Sequence, residues 1–136
     1  MPKPSKNTRI YKFVQGEKDS ELFAKVGHWC VSPEVHKRLG IAVSALPGDV
    51  WYVNDSGFLQ ARTAKNGSVH IRFLFTADEK DTVNQESLIK SVLSDNEAAE
   101  LVFTNDRKDS KIWKKFKFTP VEKEKGTFCR WEKKSS

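Results

Sequence analysis

The chain has 136 residues, 38% of them hydrophobic and 31% charged, which is enough apolar material for one core and too little for two domains of ordinary size. No apolar run reaches the roughly 18 residues a membrane-spanning helix needs, and no apolar stretch of a signal peptide follows Met1-Pro-Lys-Pro-Ser-Lys, so a cytoplasmic protein without membrane contact is expected. The net charge of +6 is concentrated in residues 107–136, with eleven Lys or Arg against four Asp or Glu, while the remainder is near neutral, so the C-terminal quarter is the part that attracts phosphates.

Residues 1–8 read as a tail and 9–136 as a single domain. "TRIYKFV" alternates β-branched and aromatic residues with a lysine and reads as a first strand. After Gly16, Ser20 is placed to cap a helix whose Leu22, Phe23, Val26, Trp29 and Cys30 recur at helical spacing. Ser32-Pro33-Glu34 opens a second short helix that Gly40 ends. "DVWYVND", "GFLQART" and "SVHIRFLFTA" follow as a three-strand meander, with turn signals at Asp55-Ser56-Gly57 and Asn66-Gly67. From about Thr82 to Ser94, Val83, Leu88, Ile89, Val92 and Leu93 form one apolar stripe of an amphipathic helix. Ala99 to Thr104 reads as a strand, Ser110 to Phe116 as a short helix capped by Ser110, and Lys117 to Glu132 as a hairpin turning near Glu124-Lys125-Gly126. Cys30 and Cys129 lie far apart, and neither they nor His28, His36 and His70 have the spacing of a metal site. Unlinked thiols and no metal are expected.

This order of elements, a central meander followed by strand, helix, strand, helix and strand, resembles the GNAT-type N-acetyltransferases over nearly the whole chain. "VHIRFLFTADEKDTVNQESLIKSVL", "AELVFTND" and "SKIWKKFKF" look like their cofactor-binding half. The stretch from Asn105 to Phe118 resembles the family's run of an Asn after the fifth strand, a small residue opening a helix, an aromatic and Gly-Phe, here Asn105, Ser110, Trp113 and Lys117-Phe118. The resemblance implies an α+β, three-layer fold: a mixed, mostly antiparallel central sheet flanked by helices on both faces. It also implies acetyl-CoA or another acyl-CoA as cofactor and an amine-bearing substrate.

By that resemblance the pantetheine arm pairs with the main chain of Leu74, Phe75 and Thr76. The pyrophosphate sits on the loop Lys80, Asp81, Thr82, Val83, Asn84 and Gln85 at a helix start, where open N–H donors and the positive dipole end favour anions. Asn105 and Trp113 complete the implied cofactor contacts. Thr82 and Asn84 stand where the family's loop has glycines, and Trp113 where many members carry a Tyr that protonates the departing thiolate. An indole N–H is too weak an acid for that task, so another donor, water, Ser110 or Tyr52, is expected to serve. His70, which by strand alternation shares a face with Arg72 and Leu74, is the expected base. Arg72 is the expected anchor for an acidic or phosphate-bearing substrate, and Trp29, with His36, Lys37 and Arg38, the expected entrance. The same residues also fit a strand histidine paired across the sheet, a solvated arginine and core tryptophans, and both readings stay open.

Two functions follow. The first is acyl-CoA-dependent N-acyl transfer by direct attack of an amine on the thioester, the amine belonging to a small molecule, a protein or a nucleic acid. The alternative is a catalytically degenerate protein of the same fold that engages nucleic acid or an acidic protein through the basic segment from Arg107 to Lys134. The compact length also suits a viral or mobile-element protein.

Overall fold

In the computed structural model, which describes residues 9–39, 43–121 and 128–134, the elements follow the expected order. They are β1 (Tyr11–Val14), α1 (Asp19–Cys30), α2 (Pro33–Leu39), β2 (Val50–Asn54), β3 (Gly57–Thr63), β4 (Val69–Thr76), α3 (Thr82–Asp95), β5 (Leu101–Arg107), α4 (Ile112–Lys115), β6 (Thr119–Val121) and β7 (Phe128–Lys134). The tail 1–8, Gly40 and the turn near Glu124-Lys125-Gly126 lie outside the described residues. The sheet order is β1-β2-β3-β4-β5-β7-β6, antiparallel throughout except for the β4–β5 pair, so the α+β class and mixed sheet stand as expected.

Helix α3 packs on one face through Leu88, Ile89 and Val92, each fully buried. Each such side chain contributes about 2 kcal/mol of burial. Val83, expected in the same stripe, is 70% exposed, because it lies in the first turn, beyond the end of the core. The other face buries Phe13, Trp51, Val53, Phe58, Phe73 and Phe75 under α1 and α2.

Two expected caps are corrected. Helix α1 begins at Asp19, whose carboxylate accepts from Gly16 N at 2.6 Å, so Ser20 lies inside the helix. Helix α4 begins at Ile112 after Lys111, and Ser110 caps nothing. Ser32 does cap α2, accepting from Val35 N at 3.4 Å, with Pro33 at the first helical position. Neither Cys30 nor Cys129 is in a disulfide, and burial pushes the Cys30 thiol up to about 11.

Candidate functional site

The parallel strands β4 and β5 pair only from Val69–Ile71 to Val102–Thr104. At the end of that ladder the Thr104 hydroxyl donates to Ile71 O at 2.8 Å. Beyond it β4 continues to Thr76 and β5 to Arg107 with no pairing between them. The local cause lies on the other edge of β4. Against β3, Phe73 opposes Gln60 and Ile71 opposes Ala61, so Arg72 is an extra residue, a bulge that adds twist and turns the strand away. The fork leaves a cleft of about 100 Å³ whose walls include Phe73 and Leu74 from β4, Asn105 and Arg107 from β5, Trp113 from α4 and Phe128 from β7.

The bulge also overturns the expected alternation. Val69, Ile71 and Leu74 pack into the α3 core, while Phe73 and Phe75 pack under α1 and α2. His70 and Leu74 are therefore on opposite faces. A simple period of two cannot survive one inserted residue.

At the mouth of the cleft, Arg38 of α2 lies 4.7 Å over the Phe75 ring. It donates to Thr76 O at 2.8 Å and Ala77 O at 3.3 Å, and pairs with Glu79 at 3.0 Å. The N-terminus of α3 is occupied from within. Asp81 accepts from Asn84 N at 3.2 Å and from Asn84 Nδ2 at 2.7 Å. Lys80 N donates to Asp78 Oδ1, Asp81 N to Asp78 O and Thr82 N to Lys80 O. Asn84, buried, also donates to Ser56 Oγ and receives from Asn54 Nδ2, tying the helix start to the β2–β3 turn. Gln85 donates to Thr76 Oγ1 and Glu79 O. Of the N–H groups from Lys80 to Gln85, all but that of Val83 are thus spent on the chain's own oxygens, and the Asp78, Glu79 and Asp81 carboxylates raise the local negative potential. The opposite wall carries exposed Arg107, and Lys111 and Lys114, on either side of Trp113 in sequence, are exposed.

Leu74, Asn105 and Trp113, expected at the cofactor, all line the cleft. The Trp113 indole donates to Asp106 Oδ2 at 2.7 Å, a partner that sequence reasoning missed. Phe75 and Thr76 are buried beside the mouth, under Arg38. His70 does not line the cleft; it sits one residue before pairing ends, half-buried, its ring stacked on Phe103 at 4.5 Å. Burial, then the charges of Arg72, Arg62 and Arg130, holds its imidazole below the ordinary value. Arg72 donates to Ser44 O at 2.8 Å and Gln60 Oε1 at 2.7 Å while lining the cleft, so part of its guanidinium is committed to structure.

Three expected site residues are not at the fork. The Tyr52 hydroxyl donates to Asp95 Oδ2 at 2.7 Å, at the far end of α3, about 20 Å along the helix from its start at 1.5 Å per residue. Burial and that carboxylate push its pKa up, the wrong direction for a proton donor. Ser110 stands in the turn before α4, its N–H donating to Arg107 O, and is not among the cleft residues. Trp29 packs on Phe58 and Phe75 at ring-centroid distances of 5.9 and 5.5 Å and borders a separate hollow with Tyr11 and Lys25. The roles of Thr104 and Asp106 had one faint signal in the sequence, the polar run Thr104-Asn105-Asp106-Arg107 after the apolar start of β5.

No family model matches the chain, and no curated protein matches it in sequence. Solved structures do match. An acetyltransferase from Thermus thermophilus superposes with a TM-score of 0.63 at 13% identity, over 96% of this chain and 99% of that one. A GNAT-family acetyltransferase from Staphylococcus aureus gives 0.60 at 8% identity, over 94% and 100%. A Bacillus subtilis acetyltransferase in complex with CoA gives 0.58 at 10% identity, also over 94% and 100%. At these identities the likeness is one of fold, and the fold is that of the GNAT-type acetyltransferases.

Proposed function

We propose that this chain is an acyl-CoA-dependent N-acyltransferase. The observation that carries the reading is the fork, two parallel strands that part after Ile71 and Thr104 and continue unpaired on either side of a cleft. Such strands offer main-chain donors and acceptors to an extended amide-bearing arm, and Leu74 with Trp113 supplies an apolar wall. The residues fit the thioester arm of an acyl-CoA, and a CoA complex among the similar structures agrees with that fit.

An acyl-CoA, when bound, supplies an activated carbonyl. In this reading Leu74, Phe75 and Thr76 hold the arm by main chain, and Asn105 and Trp113 close the wall behind it. Thr82, Val83, Asn84 and Gln85 form the helix start nearest the phosphates. Because Asp81 fills that start, Lys80 and the basic lip at Arg107 provide the attraction. His70, its imidazole held toward the neutral form and placed just before the fork, would take the proton of an amine that attacks the carbonyl. Neither Tyr52 nor Ser110 lines the cleft, so water would supply the proton that the departing thiolate takes.

A second reading, a protein of this fold that no longer takes the cofactor, is favoured by one specific observation, the Asp81 carboxylate seated where a phosphate would go. Calorimetric titration with acetyl-CoA separates the two. Under the transferase reading binding is micromolar and is lost in Asn105→Trp, which fills the cleft from an exposed position. Absence of binding at millimolar cofactor would leave the second reading.

A further inference from the structure

On the α1–α2 side, those helices cover β1 to β4, and no described helix covers β5 and β7. Two rings and a guanidinium line up across this open face. His70 stacks on Phe103 with centroids 4.5 Å apart and planes 12° from parallel, and the Arg130 guanidinium carbon lies 3.9 Å from the Phe103 centroid. Because β5 runs between β4 and β7, the two approach Phe103 from opposite sides.

Arg130 is held by Glu132 at 2.8 Å and remains well exposed. Two residues before it, Phe128 projects from the same face of β7 and is 45% exposed. Arg107 stands directly opposite Phe128 and makes no ion pair among the described residues. Beside the row, Arg62 and Arg72 share the single buried carboxylate of Asp49, at 2.7 and 3.6 Å, so the face keeps surplus positive charge. A phenyl ring left in water next to an unpaired arginine contributes little to folding, and Phe128 stands on the same face as the stacked column.

We propose that the open face of β5 and β7 binds single-stranded nucleic acid, with bases stacking on Phe128 and on the His70–Phe103–Arg130 column and phosphates meeting Arg107 and Arg130. Rings interleaved with arginines suit a ligand that offers flat bases and anionic linkers together, and only an unpaired strand exposes base faces. An acidic peptide would use the arginines and leave the rings idle. The binding does not depend on the cofactor. Since Phe128 and Arg107 also line the cleft, a bound strand lies beside the fork. That such a strand carries the acceptor amine rests on the acyl-transfer reading.

The test is fluorescence anisotropy with a labelled single strand of about ten nucleotides, the span of one small site, competed by the same strand annealed to its complement and by heparin. Phe128→Ala, at an exposed position where folding is not at risk, weakens binding by about ten-fold. Arg130→Gln weakens it similarly and lowers the salt slope by about one. Duplex and heparin compete poorly once matched for charge. The proposal is overturned if no binding occurs at low salt, if heparin competes as well as the strand, or if Phe128→Ala binds like the wild type. Acetyl-CoA titration of the wild-type protein, with no strand present, reports on the cofactor separately, so either idea can fail alone.

Discussion

Replacing Asp81 by Ser separates two jobs that the aspartate does at once. As the N-cap of α3 it accepts from Asn84 N, and in the acyl-transfer reading it is an anion at the place where the cofactor's phosphates would approach. Serine is as good an N-cap as aspartate, so helix stability changes by no more than about 0.5 kcal/mol. The buried Asn84 amide loses its 2.7 Å bond to Asp81 but keeps Asn54 and Ser56, which limits the desolvation penalty. Removing one negative charge at about 6 Å from a phosphate relieves between about 0.7 kcal/mol in water-like surroundings and about 3 kcal/mol at an effective dielectric of 20. CoA affinity is therefore expected to rise about ten-fold, measured by calorimetry at low salt, with the thermal midpoint little changed. Desulfo-CoA should gain equally, and pantetheine, which lacks the nucleotide, should gain nothing. Equal affinity of wild type and Asp81→Ser for CoA would refute the reasoning, because it would mean that the phosphates never come near the α3 start.

Two other outcomes follow from the packing and the charges. A Cβ at Gly57 would fall 1.9 Å from Phe75 O and 2.8 Å from Thr76 Cα, both backbone atoms of the strand beside the fork. Gly57→Ala should cost about 3 kcal/mol or more and lower the thermal midpoint by about 10 °C; a midpoint within about 2 °C of wild type would show that β3 and β4 are less rigidly paired than their register implies. His70 titrates below its ordinary value in the fold, chiefly through burial and secondarily through Arg72, Arg62 and Arg130. As pH falls through about 6.5 the unfolded chain takes up a proton that the folded chain does not, so stability should drop between about pH 7.5 and 5.5. In His70→Gln that part of the slope disappears, read from urea midpoints at the two pH values, and an unchanged slope would place the titrating group elsewhere.

Local signals in the chain were enough to determine the order of elements. The run "GFLQART" between turn signals at Asp55-Ser56-Gly57 and Asn66-Gly67 predicts β3 from Gly57 to Thr63, and the spacing of Leu88, Ile89 and Val92 fixes the buried face of α3, because each depends only on neighbours along the chain. The splay of strands around Leu74 and the placing of Asn105 and Trp113 were reachable by resemblance. What the chain alone could not show are features made by residues distant in sequence. The bulge at Arg72 exists only relative to β3, and it moves Leu74 to the opposite face from His70. Tyr52 looked free to serve as an acid until α3 brought Asp95 to its hydroxyl, 43 residues away. Thr82 and Asn84 read as poor substitutes for glycines, and only the tertiary structure, which carries Asn54 and Ser56 against Asn84 and Asp81 onto its amide, decided that the helix start is closed from within. Periodicity and propensity act within a few residues, whereas a site is an arrangement of side chains from separate strands and helices, and folding alone sets the distances between them.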